Sequence, residues 1–127
     1  MQNKVTYEYA IVRVVPRVER EEFINIGVIL FSKRKKFLAC KFHIATDKLN
    51  ALASDIDVAL IEKYLQAWKE VCAGSTAGGE IGKFEISDRF RWLAATRSTI
   101  IQSSKTHPGL CTNPAEELDD LMHKFVY

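Results

Sequence analysis

Two long apolar runs, at residues 9–15 and 23–31, lie on either side of a charged stretch at residues 17–22. Their alternating side chains and many β-branched residues favour extended strands over helices. Pro16 ends the first strand, because proline cannot donate to a strand ladder. One face of the second run is wholly apolar and consists of Ile24, Ile26, Val28 and Leu30. The opposite face consists of Asn25, Gly27, Ile29 and Phe31. We therefore expect two adjacent strands, of which the second is buried on both sides.

A third strand is expected at residues 37–42, where apolar side chains again alternate. The tight turn that joins it to the second strand is strongly basic and consists of Lys33, Arg34, Lys35 and Lys36. The three strands predict an antiparallel meander, and a fourth strand is expected at residues 98–102.

Helices are predicted after residue 45 from capping residues and from apolar side chains at helical spacing. Thr46 is expected to cap a short helix over residues 47–53, and Asp57 a longer one with a packing stripe along residues 58–72. A further helix is expected from Ser87. The strongest helix start follows Asn113, because proline occupies the first helical position and glutamate stands three residues after the cap. The glycine-rich residues 74–82 predict a flexible loop.

Length and composition limit the chain to one small domain. With 127 residues and 47% apolar side chains, it can bury one hydrophobic core but not two large ones. We predict a single α+β domain over residues 1–127, an antiparallel sheet of about four strands with helices packed on it. The net charge of +2 indicates neither nucleic acid nor a membrane surface as a partner.

The cysteines argue against both a disulfide framework and a zinc site. Cys40, Cys72 and Cys111 are odd in number, far apart and free of any C-x-x-C pair. We therefore expect a reducing, cytoplasmic location, with no metal and no cofactor. A phosphate-binding loop is also disfavoured, because Ala77 and Phe84 occupy the places where such a loop around Gly82 and Lys83 needs glycine and a hydroxyl. None of these patterns therefore identifies a catalytic or binding chemistry.

His107 and Cys111 lie in one predicted loop, where an imidazole can activate a thiol. Four residues of sequence spacing say little about geometry. A cysteine just before a helix is more often a small buried hydrophobe, which is the interpretation we favour.

Arg13 is the most informative polar residue, because it lies midway along an apolar strand and needs either water or hydrogen-bond acceptors. Polar residues elsewhere can converge on it. The candidates for a partner- or ligand-binding site are Arg13, Asn25, Arg97, Ser98, Gln102 and His107. The same residues also fit a structural hydrogen-bond network, and the residue pattern favours the network over a binding site.

The basic turn supports a different hypothesis. Lys33, Arg34, Lys35 and Lys36 can contact phosphates, and Phe37 or Tyr7 can stack on bases. The alternative is a charged turn that keeps the sheet edge soluble.

Five segments in order carry a family resemblance: YAIVRVVP at 9–16, EEFINIGVIL at 21–30, RFRWL at 89–93, RSTIIQ at 97–102 and GLC at 109–111. Together they resemble the bacterial family catalogued as domain of unknown function 3037. That family has no assigned activity, so the resemblance implies no catalytic residue. It does imply a context, because such genes often lie beside genes for HipA-like protein kinases.

Two functional hypotheses follow. The first is a non-catalytic binding or regulatory partner of a HipA-like kinase encoded nearby. The second is a small enzyme or a nucleic-acid-binding or processing protein that uses a polar pocket around Arg13, Asn25 and Arg97. Whether the protein is an enzyme stays open at this point.

Overall fold

The computed structural model describes residues 3–95 and 100–127. Within them the chain forms a five-stranded antiparallel sheet in the order β3-β2-β1-β4, with β5 also paired to β1. The strands are β1 (Val5–Val14), β2 (Ile24–Ser32), β3 (Phe37–Phe42), β4 (Ile101–Ser103) and β5 (His107–Cys111). The predicted meander of the first three strands is confirmed, and so is the α+β class.

The helices of the described residues are α1 (Thr46–Leu52), α2 (Val58–Ala73), α3 (Gly79–Gly82), α4 (Ile86–Ala94) and α5 (Pro114–Phe125). Two predicted caps are confirmed: the Asp57 side chain accepts from the Leu60 amide at 3.1 Å, and the Asn113 side chain accepts from two amides of the first turn of α5. Thr46 is not a cap, since it is the first residue of α1 and Ala45 precedes the helix without a side-chain hydrogen bond.

The glycine-rich segment is more ordered than the predicted loop. It forms a 3₁₀ turn at Thr76–Gly78 and then α3. Arg89 of α4 donates to the carbonyls of Val71 and Cys72 at 3.2 and 3.0 Å, which satisfies the last turn of α2 beside this segment.

The sheet carries a hydrophobic core on each face. The first core lies under α1, α2 and α4 and includes Val12, Val14, Ile29, Phe31, Leu49, Leu65, Phe90 and Leu93. The second core lies under α5 and includes Val28, Leu30, Leu118, Leu121 and Met122. β2 is therefore buried on both sides, as predicted, because helices cover both faces of the sheet.

A β-bulge in β2 decides which side chains face each core. Val12 and Arg13, adjacent on β1, stand opposite Gly27 and Asn25 of β2, so that Ile26 is an extra residue between them. The bulge turns Asn25 towards the face that carries Arg13.

The predicted alternation along β2 is wrong for the same reason. Ile24 and Ile26 pack against the first core, whereas Val28 and Leu30 lie in the second. A regular strand would have placed all four on one face.

The second edge of the sheet also differs from expectation. The fourth strand was predicted at residues 98–102 and is observed at Ile101–Ser103, while Ser98 itself lies outside the described residues. Residues 107–111 form a strand and not the predicted loop. β5 tolerates Pro108 because it lies at the edge of the sheet, paired only with β1.

No helix within the described ranges is long and apolar enough to cross a membrane.

Candidate functional site

Three of the predicted site residues stand side by side across the sheet. Arg13 of β1 is directly opposite Asn25 of β2 on one side and directly opposite Gln102 of β4 on the other. The β2 bulge creates the first pairing and the short β4 ladder creates the second. We call these three residues, together with Phe23, the Arg13 patch.

The guanidinium of Arg13 has no counter-ion among the described residues. Arg13 takes part in none of their salt bridges and donates none of their side-chain hydrogen bonds. Its Cζ lies 4.0 Å from the centre of the Phe23 ring, and its Nε is buried without a partner. Burial lowers the pKa of Arg13 from its ordinary value. Among the described residues, the site therefore holds a half-buried positive charge without an anionic partner.

Asn25 supplies the complementary atom. Its Nδ2 donates to the backbone carbonyl of Phe125 at 3.2 Å, which holds the side chain in place. Its Oδ1 is buried and accepts no hydrogen bond. An unpaired donor on Arg13 and an unpaired acceptor on Asn25 thus stand on directly opposed residues of neighbouring strands.

Aromatic side chains extend the patch along the same face. Tyr9 lies 5.3 Å from the His107 ring and 5.9 Å from the Phe125 ring, measured between ring centroids. We call Tyr9, His107 and Phe125 the aromatic row. His107 is opposite Tyr9, four residues from Arg13 along β1, or about 13 Å at the usual strand rise. His107 therefore belongs to the neighbouring row and does not contact the guanidinium through the ladder.

His107 and Cys111 do not form a catalytic pair. They are four residues apart on one strand, about 13 Å at the usual rise. Burial raises the pKa of the Cys111 thiol, which favours the unreactive protonated form. No group of three or more His, Cys, Asp or Glu side chains suited to a metal ion occurs in the described part of the chain.

The basic turn lies away from the Arg13 patch, between β2 and β3. Its four basic residues are exposed, and none takes part in a salt bridge of the described residues. Tyr7 is not available to stack on bases, because its ring is buried and its hydroxyl donates to Glu117 at 3.0 Å. Phe37 is half-buried against the second core. The turn can supply charge, but the structure gives it little aromatic surface.

Two features escaped the sequence analysis. The first is Phe23, which is 45% exposed, lies over the guanidinium and was predicted only as part of an apolar run. Its one sequence signal is an aromatic residue two positions before Asn25. The second is an apolar groove of about 280 Å³ between α2, α4 and β4. It is lined by Tyr64, Ala67, Trp68, Val71, Trp92, Ile100 and Ile101. Of these residues, Trp68 belongs to the packing stripe predicted along residues 58–72, and Trp92 to the helix predicted from Ser87.

Arg97 and Ser98, the remaining predicted site residues, lie outside the described residues.

A family model described as "Protein of unknown function (DUF3037)" matches residues 9–126. The chain belongs to this family. The resemblance noted in the sequence is thereby confirmed, and the match to DUF3037 includes every residue of the Arg13 patch. Neither a curated protein nor a solved structure matches the chain.

Proposed function

We propose that this DUF3037 protein is a non-catalytic binding module that contacts a partner protein through the Arg13 patch. The observation that carries the proposal is the guanidinium of Arg13, half-buried beside Phe23 and without a counter-ion among the described residues. A charge kept in this state costs folding free energy, and an ionic contact with a partner offsets that cost.

The surroundings of Arg13 fit a protein interface. Arginine and aromatic residues are the commonest interface hot spots, and the patch lies beside the half-buried ring of Phe125 and the exposed imidazole of His107. The Phe23 ring, which is 45% exposed, and the exposed imidazole of His107 give this face aromatic surface that solvent can reach. A central arginine beside exposed aromatic side chains is typical of a protein interface.

A HipA-like kinase is the partner to test first, because the family resemblance implies that such genes often lie beside genes for these kinases. We place the complex in the cytoplasm, in keeping with three free cysteines among the described residues. The experiment is co-expression of the tagged protein with the neighbouring kinase, followed by affinity purification. We expect stoichiometric recovery of the kinase with the wild type and at least about a tenfold loss with Arg13→Met.

Arg91→Met is the matched control. The Arg91 side chain is 62% exposed and reaches Glu8 only at 3.5 Å, so its loss removes an arginine without touching the Arg13 patch. Failure to recover the kinase with the wild-type protein would exclude that partner. Equal recovery with both variants would exclude the patch as the contact.

Nucleic-acid binding through the basic turn is the second candidate, supported by four exposed basic residues without ion pairs in the described structure. It predicts an affinity for duplex DNA or RNA that falls steeply with salt, and that is abolished when Arg34 and Lys35 are both changed to Glu. Binding that is indifferent to salt would remove this candidate.

A further inference from the structure

Two unpaired atoms of the Arg13 patch indicate which chemical group of a partner it binds. Arg13 Nε is a buried donor without a partner, and Asn25 Oδ1 is a buried acceptor without one. The two residues are direct cross-strand neighbours, whose Cβ atoms in antiparallel pairs stand about 5 Å apart. Nε and Oδ1 are therefore a complementary donor and acceptor, which can form a hydrogen bond when a partner binds the guanidinium.

That internal hydrogen bond would leave the two Nη groups as the free edge of the guanidinium. The edge presents two parallel N–H donors, a geometry that matches the two oxygens of a carboxylate. Phe23 covers one face of the guanidinium and restricts its orientation. Asn25 is in turn held by the backbone of α5, through its hydrogen bond to the Phe125 carbonyl.

We propose that the partner group bound by Arg13 is the carboxylate of an aspartate or glutamate side chain, and that Asn25 is the positioning residue that directs the guanidinium towards it. This inference rests on the proposed binding function. The two cross-strand neighbours of Arg13, Asn25 and Gln102, are neutral amides, so the ladder supplies one positive charge. One charge balances a carboxylate, whereas sites for phosphate usually combine several cations or backbone amides.

The test is selection from a library of random linear peptides with the full-length protein as bait. We expect wild type and Arg91→Met to enrich peptides with an Asp or Glu at one fixed position, and Arg13→Met to lose that preference. Replacing the acid of a selected peptide by its amide should weaken binding at least about tenfold. Replacing it by phosphoserine should bring no gain. No enrichment, an enrichment without an acidic position, or tighter binding of the phosphopeptide would each overturn the carboxylate assignment.

The positioning role of Asn25 has its own readout. The variant Arg13→Lys keeps the positive charge but lacks the Nε–H group that would donate to Asn25 Oδ1. Asn25→Ala should therefore weaken peptide binding in the wild-type background and have little effect in the Arg13→Lys background. In NMR spectra of the labelled protein, the Arg13 Nε–H should become protected from hydrogen exchange with solvent when the peptide binds. Asn25→Ala should abolish this protection. Equal weakening in both backgrounds would mean that Asn25 acts only through the fold.

The two proposals fail in different ways. Recovery of the kinase without an acidic preference in the peptide selection would leave the binding module standing and exclude the carboxylate. An acidic preference without recovery of the kinase would exclude that partner and leave the carboxylate assignment standing.

Discussion

Replacing Arg13 by methionine should stabilise the free protein while it weakens partner binding at least about tenfold. The arginine Nε is buried without a hydrogen-bond partner, and no carboxylate among the described residues pairs with its charge. Methionine has a similar length and no polar hydrogen, so it can keep the contact with the Phe23 ring and remove the buried charge.

The expected magnitude follows from two opposing effects. Relief of an unpaired buried donor is worth about 1–3 kcal/mol. Loss of the cation–π contact with Phe23 costs about 0.5–1 kcal/mol at a partly exposed site. The net gain in the free energy of unfolding is then about 0–2.5 kcal/mol. For a chain of 127 residues, unfolding entropy of about 2.1 cal/mol/K per residue converts this gain into a rise in Tm of about 0–9 °C.

Thermal unfolding of wild type, Arg13→Met and Arg91→Met checks the prediction. The exposed Arg91 should change the free energy of unfolding by no more than about 0.5 kcal/mol when it is replaced. A loss of more than about 1 kcal/mol with Arg13→Met would refute the reasoning. In that event Arg13 stabilises the fold, and its lack of a counter-ion would no longer indicate a partner.

Three further predictions concern the framework around the patch. Gly27→Ala should lower the free energy of unfolding by about 2–3 kcal/mol, because its Cβ would lie 2.5 Å from the Lys41 carbonyl oxygen and would separate β2 from β3; an unchanged denaturant midpoint would contradict this. Tyr7→Phe should cost about 1 kcal/mol at neutral pH through the lost hydrogen bond to Glu117. Burial and that hydrogen bond raise the pKa of Tyr7, so wild-type stability should fall as the pH rises above about 10, and less steeply in the Phe variant; parallel pH profiles would argue against this assignment. The Cys72 thiol, whose pKa is raised by a hydrogen bond with a neighbouring thiol and by burial, should resist alkylation in the native protein at neutral pH. Rapid labelling of Cys72 in the folded state, measured by mass spectrometry, would show that the site opens.

Part of the candidate site was predictable from sequence because polar residues inside apolar strands are conspicuous. Arg13 and Asn25 are polar residues inside the apolar runs at 9–15 and 23–31, and that pattern was sufficient to select both. It was not sufficient to place His107, which lies in the aromatic row because β5 pairs with the first half of β1 and β4 with the second. Phe23 was missed because its contact with the Arg13 guanidinium joins two segments that are separated in the sequence.

Features whose free energy depends on nearby residues were predictable from the sequence alone. The third strand spans its predicted residues, and Asp57 and Asn113 cap their helices, since alternation and capping depend on neighbours within a few residues. The bulge at Ile26 and the pairing of β5 were not predictable in this way, because both depend on register between distant segments and on burial against both layers of helices. The bulge brings Asn25 to the same face as Arg13, so the apposition that makes the candidate site is a property of the folded sheet.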